Sequence, residues 1–248
     1  MSDGAATTVL LLGLGGNVSQ GILKALRMAS VPFRVAGACV SATSAGLWAA
    51  DTARLSPPAD DPGFTDWLVA ACLEEGARAV LSGVEPVLAR MARDRAHIEA
   101  ETGARVLVAA PEQLAIASDK LATCVWLRDR GLPHPDFAAG ADAGDVADLV
   151  ARRGLPLVAK PRRGRGAQGV VVLRDDRDVA WVTGRDDMVV QELLGDERAE
   201  YTAACVGDRD GRVRGCIVMR RRLTAGTTTA IEVDGDAGRR AAAVAVAS

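Results

Sequence analysis

The densest chemistry in the chain lies at Pro156-Leu157-Val158-Ala159-Lys160-Pro161-Arg162-Arg163-Gly164-Arg165-Gly166-Ala167-Gln168-Gly169-Val170, where an apolar segment runs into a basic, glycine-rich one. A strand that delivers a lysine into such a loop can cover a polyphosphate: the glycine amides donate hydrogen bonds and Lys160 supplies a point charge. A charge run is ordinarily a solvated hairpin. Two features argue otherwise here. An unpaired ammonium at the end of an apolar strand is costly, and Gln191-Glu192-Leu193-Leu194, with acids after it, ends a second strand. A shorter glycine turn, Gly13-Leu14-Gly15-Gly16-Asn17, sits between a strand and a helix, where backbone amides could meet a phosphate. A dinucleotide site also wants an acid about 20 residues on, at the end of the second strand. That position reads Val40-Ser41-Ala42-Thr43, so a tight packing turn is the favoured reading. The two histidines, His97 and His134, give no nucleophilic triad, and Asn17 and Glu85 follow strands where an open sheet places its ligands.

The elements that must position these residues change character part-way along the chain. Residues 8–12, 33–40, 79–81 and 105–109 read as strands. They alternate with helical spacing after Ser19, over Phe64, Trp67, Leu68, Ala71 and Cys72, and from Pro86. That alternation predicts a Rossmann-like parallel sheet over residues 1–110. From residue 111 the pattern predicts an α+β domain. Asp119 caps a helix that stops at Gly131, and a second helix spans residues 142–153 before Gly154. Strand-like runs then follow at 157–160, 169–173, 188–191, 201–206, 213–219 and 227–233, read as an antiparallel sheet with a hairpin at 207–211. A last helix starts at Ala237.

Composition excludes several function classes. The chain has 248 residues, 30 basic and 32 acidic side chains and 3% aromatics. This is a globular composition without the basic excess or stacking residues of a nucleic-acid binder. No stretch approaches the ~18 apolar residues of a membrane span. Five widely spaced cysteines read as buried thiols in a reducing, cytoplasmic setting.

Asp119-Lys120, Gly131-Leu132-Pro133-His134-Pro135, the Lys160-Pro161 loop, Gln191-Glu192-Leu193-Leu194 and Glu200-Tyr201-Thr202 occur in an order that resembles ATP-grasp proteins. The likeness is to the carbamoyl phosphate synthetase large-subunit branch and related carboxylate-amine ligases, and residues 15–23 are similar to the opening of their substrate-side domain. The resemblance implies an α/β chain. A Rossmann-like pre-ATP-grasp domain (1–110) precedes an α+β ATP-grasp domain (111–248), which has a lid at about 119–192 and the start of a large subdomain at 193–248. It implies ATP and Mg2+ as cofactors and small-molecule carboxylate and amine substrates, and it admits a homodimer. Lys120 and Lys160 would contact the ATP phosphates, with Lys160 and Arg220 the catalytic side chains. Gly164, Gly166 and Gly169 would lie in the mobile phosphate loop. Gln191, Glu192, Leu193 and Leu194 would read adenine through backbone groups. Glu200, with Glu197 as its rival, would bind ribose. For Arg220, Arg221 and Arg222, plain surface charge is an equal alternative.

The chain departs from this family in its metal ligands. The family takes a Glu and a Glu-x-Asn from strands after the helix that here starts at Ala237, whereas this sequence ends at Ser248. The expectation is therefore an ATP-grasp ligase incomplete at its C-terminus, with magnesium ligands in the missing segment and Glu232 and Asp234 no substitute for them. Two alternatives stay open on the sequence: a nucleotide-binding module completed by a partner chain, and an NAD-dependent oxidoreductase.

Overall fold

The structure is a computed structural model that describes residues 6–164, 167–195, 200–208, 210–224 and 227–247, without the side chain of Thr227. It divides into two compact units, Met1–Leu114 and Ala115–Ser248.

In the first unit an uninterrupted apolar strand, β1 (Thr7–Leu12), has Val9 to Leu12 buried. That is the pattern of a parallel strand covered on both faces. Around it stand α1 (Asn17–Arg27), β2 (Phe33–Cys39), a 3-10 turn at Ala45–Ala49 and β3 (Thr52–Leu55). They are followed by α2 (Phe64–Glu75), β4 (Ala79–Ser82), α3 (Glu85–Thr102) and β5 (Arg105–Val106). The strands pair in parallel in the order β3-β2-β1-β4-β5. The chain thus starts in the middle, winds to one edge, then crosses to the other, which is the doubly wound arrangement. One core cluster, around Leu10, Phe64, Leu68 and Met91, lies against α2 and α3, and a second gathers Leu11, Leu14, Leu23 and Val35. The structure corrects three readings here. β5 ends at Val106 instead of reaching Ala109, α3 begins at Glu85 with Pro86 inside its first turn, and β3 has no counterpart in the sequence pattern.

The glycine turn after β1 is a packing device. Gly13 has φ +71°, and a Cβ there would lie 2.4 Å from a Val84 methyl, while one on Gly15 would lie 2.8 Å from Ser44 Oγ and 3.1 Å from Cys39 Sγ. The space beside Gly15 is filled by protein. Asn17 is the first residue of α1, and Gly16 takes the cap position. Asn17 and Glu85 are exposed after β1 and β4, and His97 is exposed on α3.

In the second unit, α4 (Pro111–Ala117), which straddles the division, leads to α5 (Lys120–Asp129), β6 (Phe137–Ala139) and α6 (Ala143–Arg153). Then come β7 (Leu157–Pro161), β8 (Val171–Leu173), α7 (Asp176–Val182) and β9 (Met188–Glu192). The Asp119 and Asp142 carboxylates accept from backbone amides of α5 and α6, as their positions predict. β6 to β9 form an antiparallel sheet in the order β6-β9-β7-β8 over a core of Val146, Leu149, Leu157, Leu173 and Met188. A separate antiparallel sheet holds β10 (Tyr201–Gly207), β11 (Val213–Thr224) and β12 (Thr227–Asp234), followed by α8 (Ala237–Ala247). One antiparallel sheet in hairpin succession was expected. There are two: β6 to β9, in which α7 lies between β8 and β9 and β9 returns to pair with both β7 and β6, and β10 to β12, which pair with one another. Cys39, Cys72 and Cys124 are buried as expected, but Cys205 and Cys216 are only half-buried. Among the described residues no helix is long and apolar enough to cross a membrane.

Ser19 ties the first helix to the strand ends. Its buried Oγ donates to the Leu12 carbonyl at 2.8 Å and accepts from the Gly83 amide at 3.0 Å. Ser19→Ala leaves both groups without this partner, so urea unfolding of the variant should show a loss of about 1–3 kcal/mol; a loss within measurement error would mean that water replaces the hydroxyl.

Candidate functional site

Lys160 closes the apolar run of β7, and burial of Leu157, Val158 and Ala159 carries its stem inward with them. Its pKa is lowered chiefly by burial; Cys124 opposes this, Lys120 adds to it and Glu200 again opposes it. Among the described residues no carboxylate pairs with Lys160, and its ammonium makes no hydrogen bond. A partly desolvated cation without a partner is unfavourable by itself and suited to an arriving anion.

Lys120 approaches the same loop from the start of α5. Its backbone amide donates to Arg162 O at 2.8 Å, and its ammonium donates to Pro161 O at 3.0 Å and Gly164 O at 3.2 Å. These carbonyls hold the ammonium against the loop without neutralising it. Asp119, one residue earlier, explains the placement. Its carboxylate is 5% exposed, accepts from the Leu121 and Ala122 amides, and pairs with Arg162 Nη2 at 2.7 Å and Nε at 3.2 Å. The Arg162 guanidinium, with those amides, holds the Asp119 carboxyl below the ordinary range. Arg162 is thus committed to Asp119, and Arg163 is 78% exposed with its guanidinium 3.8 Å from the same carboxylate. Arg165 and Gly166 lie outside the described residues, as does Glu197. A cavity of about 390 Å³ next to the loop is lined by Asp119, Pro161, Arg162, Arg163, Asp186 and Asp187. Its two arginines face three carboxylates, so it offers no net attraction to an anion, and neither lysine lines it.

The second strand end behaves differently from its four-residue reading. Gln191 is buried and donates to Cys124 Sγ at 3.0 Å, which puts it beneath Lys160's neighbour. The Glu192 carboxylate accepts from the Asp136 amide at 2.9 Å and meets Arg153 at 3.3 Å, and its own amide donates to Asp136 O. Glu192 is therefore engaged within the sheet. Leu193 and Leu194 lie beyond the end of β9, 47% and 64% exposed.

Glu200, the residue before β10, and Arg220, on β11, belong to the other sheet. Glu200 Oε1 accepts from Arg221 Nη2 at 2.5 Å and Nε at 3.1 Å, and the Arg221 amide donates to Glu200 O at 2.9 Å. Both guanidinium bonds go to one oxygen. Arg220 pairs at 2.6 Å with Glu232, its register partner on β12, and both are exposed. Asp234 pairs with Arg239. Among the described residues no group of three or more His, Cys, Asp or Glu side chains is placed to hold a metal ion. Lys160, Lys120, Gly164 and Gly169 are thus brought to one loop, with Glu200 within electrostatic reach of Lys160, while Arg220 faces away into an ion pair of its own. The Asp119–Arg162 pair and Cys124 had no signal in the sequence beyond the cap.

No family model matches the chain. The carbamoyl phosphate synthase large chain of Rubrobacter xylanophilus is 32% identical over 77 residues, 31% of this chain and 7% of that one. A D-alanine–D-alanine ligase of Desulforudis audaxviator is 32% identical over 120 residues, 45% of this chain and 37% of the relative. The N5-carboxyaminoimidazole ribonucleotide synthetase of Thermus thermophilus superposes with a TM-score of 0.72 at 19% identity, over 96% of this chain and 62% of that one. The chain has the ATP-grasp fold. Its relatives are ATP-grasp ligases, and it spans well under half the length of the two curated ones. A Staphylococcus aureus N5-carboxyaminoimidazole synthetase with the same fold, solved with ADP, superposes at a TM-score of 0.68 and 13% identity, over 90% of this chain and 56% of that one.

Removing the unpartnered charge should stabilise the free protein. Lys160→Met keeps the stem and deletes the ammonium, and should raise stability at neutral pH by about 1 kcal/mol in urea unfolding. With a lowered native pKa the unfolded chain binds more protons, so the wild-type penalty is relieved as pH rises through that pKa and the gap between the two proteins narrows. A destabilised variant would mean that the ammonium has a partner.

Proposed function

We propose that the chain is an ATP-dependent carboxylate-amine ligase of the ATP-grasp type, in which ATP phosphorylates a small-molecule carboxylate and an amine displaces phosphate from the acyl phosphate. The observation that carries the reading is the half-buried ammonium of Lys160, without a paired carboxylate among the described residues, beside Lys120 and the glycine loop. Two ammonium groups and loop amides offset the charge of a triphosphate, and charge-assisted bonds of this kind are the strong ones.

The remaining roles follow from what each residue leaves free. Gly164 and Gly169, with Gly166, form the loop over the phosphates. Gln191 and Glu192 anchor the hinge, and Leu193 and Leu194 offer the backbone groups for adenine. Glu200 presents Oε2 to a ribose hydroxyl while Arg221 holds Oε1. Arg220 is the residue that would turn to a phosphate or a substrate carboxylate, because an exposed pair such as Arg220–Glu232 costs little to exchange. ATP and Mg2+ are the expected cofactors, in keeping with the ADP-bound neighbour. Phosphoryl transfer ordinarily engages magnesium. The described residues do not fit a resident ion, since Glu232 and Asp234 are held by arginines and no acidic cluster forms, so no step is assigned to a metal.

ADP at about 100 times its dissociation constant adds roughly 2.7 kcal/mol, which should raise the melting temperature by roughly 5–11 °C, with no shift from NADH. A shift with NADH alone would overturn the reading.

Within the site, Lys160→Ala should weaken ADP binding by about 10- to 100-fold, as expected for loss of a bond between a charged donor and a phosphate. Arg163→Ala, a solvent-screened charge, should change it by less than about threefold. Isothermal titration of both variants decides: equal losses would move the phosphate contact from the lysine to the loop arginines.

A further inference from the structure

Cys205 and Cys216 lie directly opposite each other in the antiparallel ladder of β10 and β11. Their thiols interact electrostatically, and both are half-buried, whereas Cys39, Cys72 and Cys124 are buried and scattered. The helix α8 passes over the pair, with the Ala243 carbonyl 3.9 Å from Cys205 Sγ. Facing residues in an antiparallel ladder have Cα atoms about 4.5–5.5 Å apart, inside the roughly 4.4–6.8 Å range that a disulfide spans. Bridging the two sulfurs therefore needs side-chain rotation and no change of register. Their partial exposure admits a small oxidant, and the adjacent thiol intercepts the first oxidation product before it goes further.

We propose that Cys205 and Cys216 are a redox modification site, a dithiol that a hydroperoxide converts reversibly into an intramolecular cross-strand disulfide. One thiolate attacks a peroxide oxygen; the O–O bond breaks, hydroxide leaves as water and a sulfenic acid remains on that sulfur. The second sulfur attacks it, the S–S bond forms and the sulfenic oxygen leaves as a second water. Two thiols lose two protons and two electrons, and the peroxide takes up both. A dithiol reductant reverses the bond by exchange. In a reducing compartment the resting state is the dithiol seen here. The other cysteines, Cys39, Cys72 and Cys124, are buried and have no second thiol opposite them in a strand ladder. Formation of the bridge is independent of nucleotide binding.

The test treats the whole chain with hydrogen peroxide, alkylates the remaining thiols in denaturant, and maps tryptic peptides by mass spectrometry. The expected result is one covalent link, between peptides 199–209 and 215–220, that dithiothreitol cleaves with full return of both thiols. Cys39, Cys72 and Cys124 should stay alkylated at their untreated level. Cys205→Ser and Cys216→Ser should each abolish the link and leave the other cysteine as an alkylatable thiol or a singly oxidised one, with the melting temperature of the untreated variants reporting that they fold. The proposal is overturned if the wild type keeps both thiols free under doses that oxidise buried cysteines, if the two accumulate separate sulfinic acids, or if the disulfides join two chains.

Discussion

One buried carboxylate organises the lysine-bearing loop of the second unit. Asp119 accepts two amides of the helix it starts and, through its two oxygens, the fork of Arg162 on the far end of β7. A bidentate guanidinium–carboxylate pair is directional as well as strong. It therefore fixes the start of α5 against the start of the loop. Lys120 is the next residue along that helix, and its ammonium meets the Pro161 and Gly164 carbonyls because the pair has already brought the two segments together. Lys160 gains from the same tie at one remove: its strand is held at both neighbours, by the sheet before it and by Arg162 after it.

The distribution of charge partners separates the paired arginines from the two lysines at the loop. Arg34 and Arg54 meet Glu75, Arg90 and Arg93 meet Asp94, Arg153 meets Asp136 and Glu192, and Arg221 meets Glu200. Each of these pairs joins segments that the sequence keeps apart or steadies a helix surface. Lysine, a compact ammonium on a flexible stem, serves at the loop instead. Lys160 is the more informative of the two, because burial depresses its pKa, which Cys124 and Glu200 only partly offset, and among the described residues no carboxylate is paired with it.

Much of this architecture was legible in the residues because it rests on local rules. Asp119 and Asp142 announce their helices by cap chemistry, and β7 and β9 announce themselves as short apolar runs. The failures share a cause. β3 is a four-residue edge strand with no run of buried residues, held by β2 and by the Arg54–Glu75 pair. β6 is three residues long and exists through its pairing with β9. α7 carries only seven residues, though Asp175 caps it. Such elements are made by tertiary contacts, and their sequences say little. At the site, the lysines could be singled out from type and position. The engagement of Arg162 with Asp119, 43 residues away, and of Glu192 with Asp136, 56 away, could not, so arginines that look alike in a basic run have different duties.

The two glycine-rich stretches make the same point more sharply. Both read as strand, glycines and a following element, and both would serve as phosphate loops by pattern alone. At the first, a methyl group at Gly13 or Gly15 would run into Val84, or into Ser44 and Cys39, so these glycines exist to let protein approach protein. At the second, Gly164 has φ +130° and, among the described residues, no atom within 4 Å of where a Cβ would sit, while its carbonyl holds Lys120; a Cβ on Gly169, with φ +70°, would lie 2.8 Å from Pro161 Cγ. At Gly164 the missing side chain serves backbone conformation, and at Gly169 it also lets the chain close on Pro161. Glycine in a turn can answer either need, and only the occupancy of the space beside it tells which. The filled turn belongs to the packing of the parallel sheet, and Gly164 stands in the loop that follows Lys160, a cation with no carboxylate paired to it among the described residues.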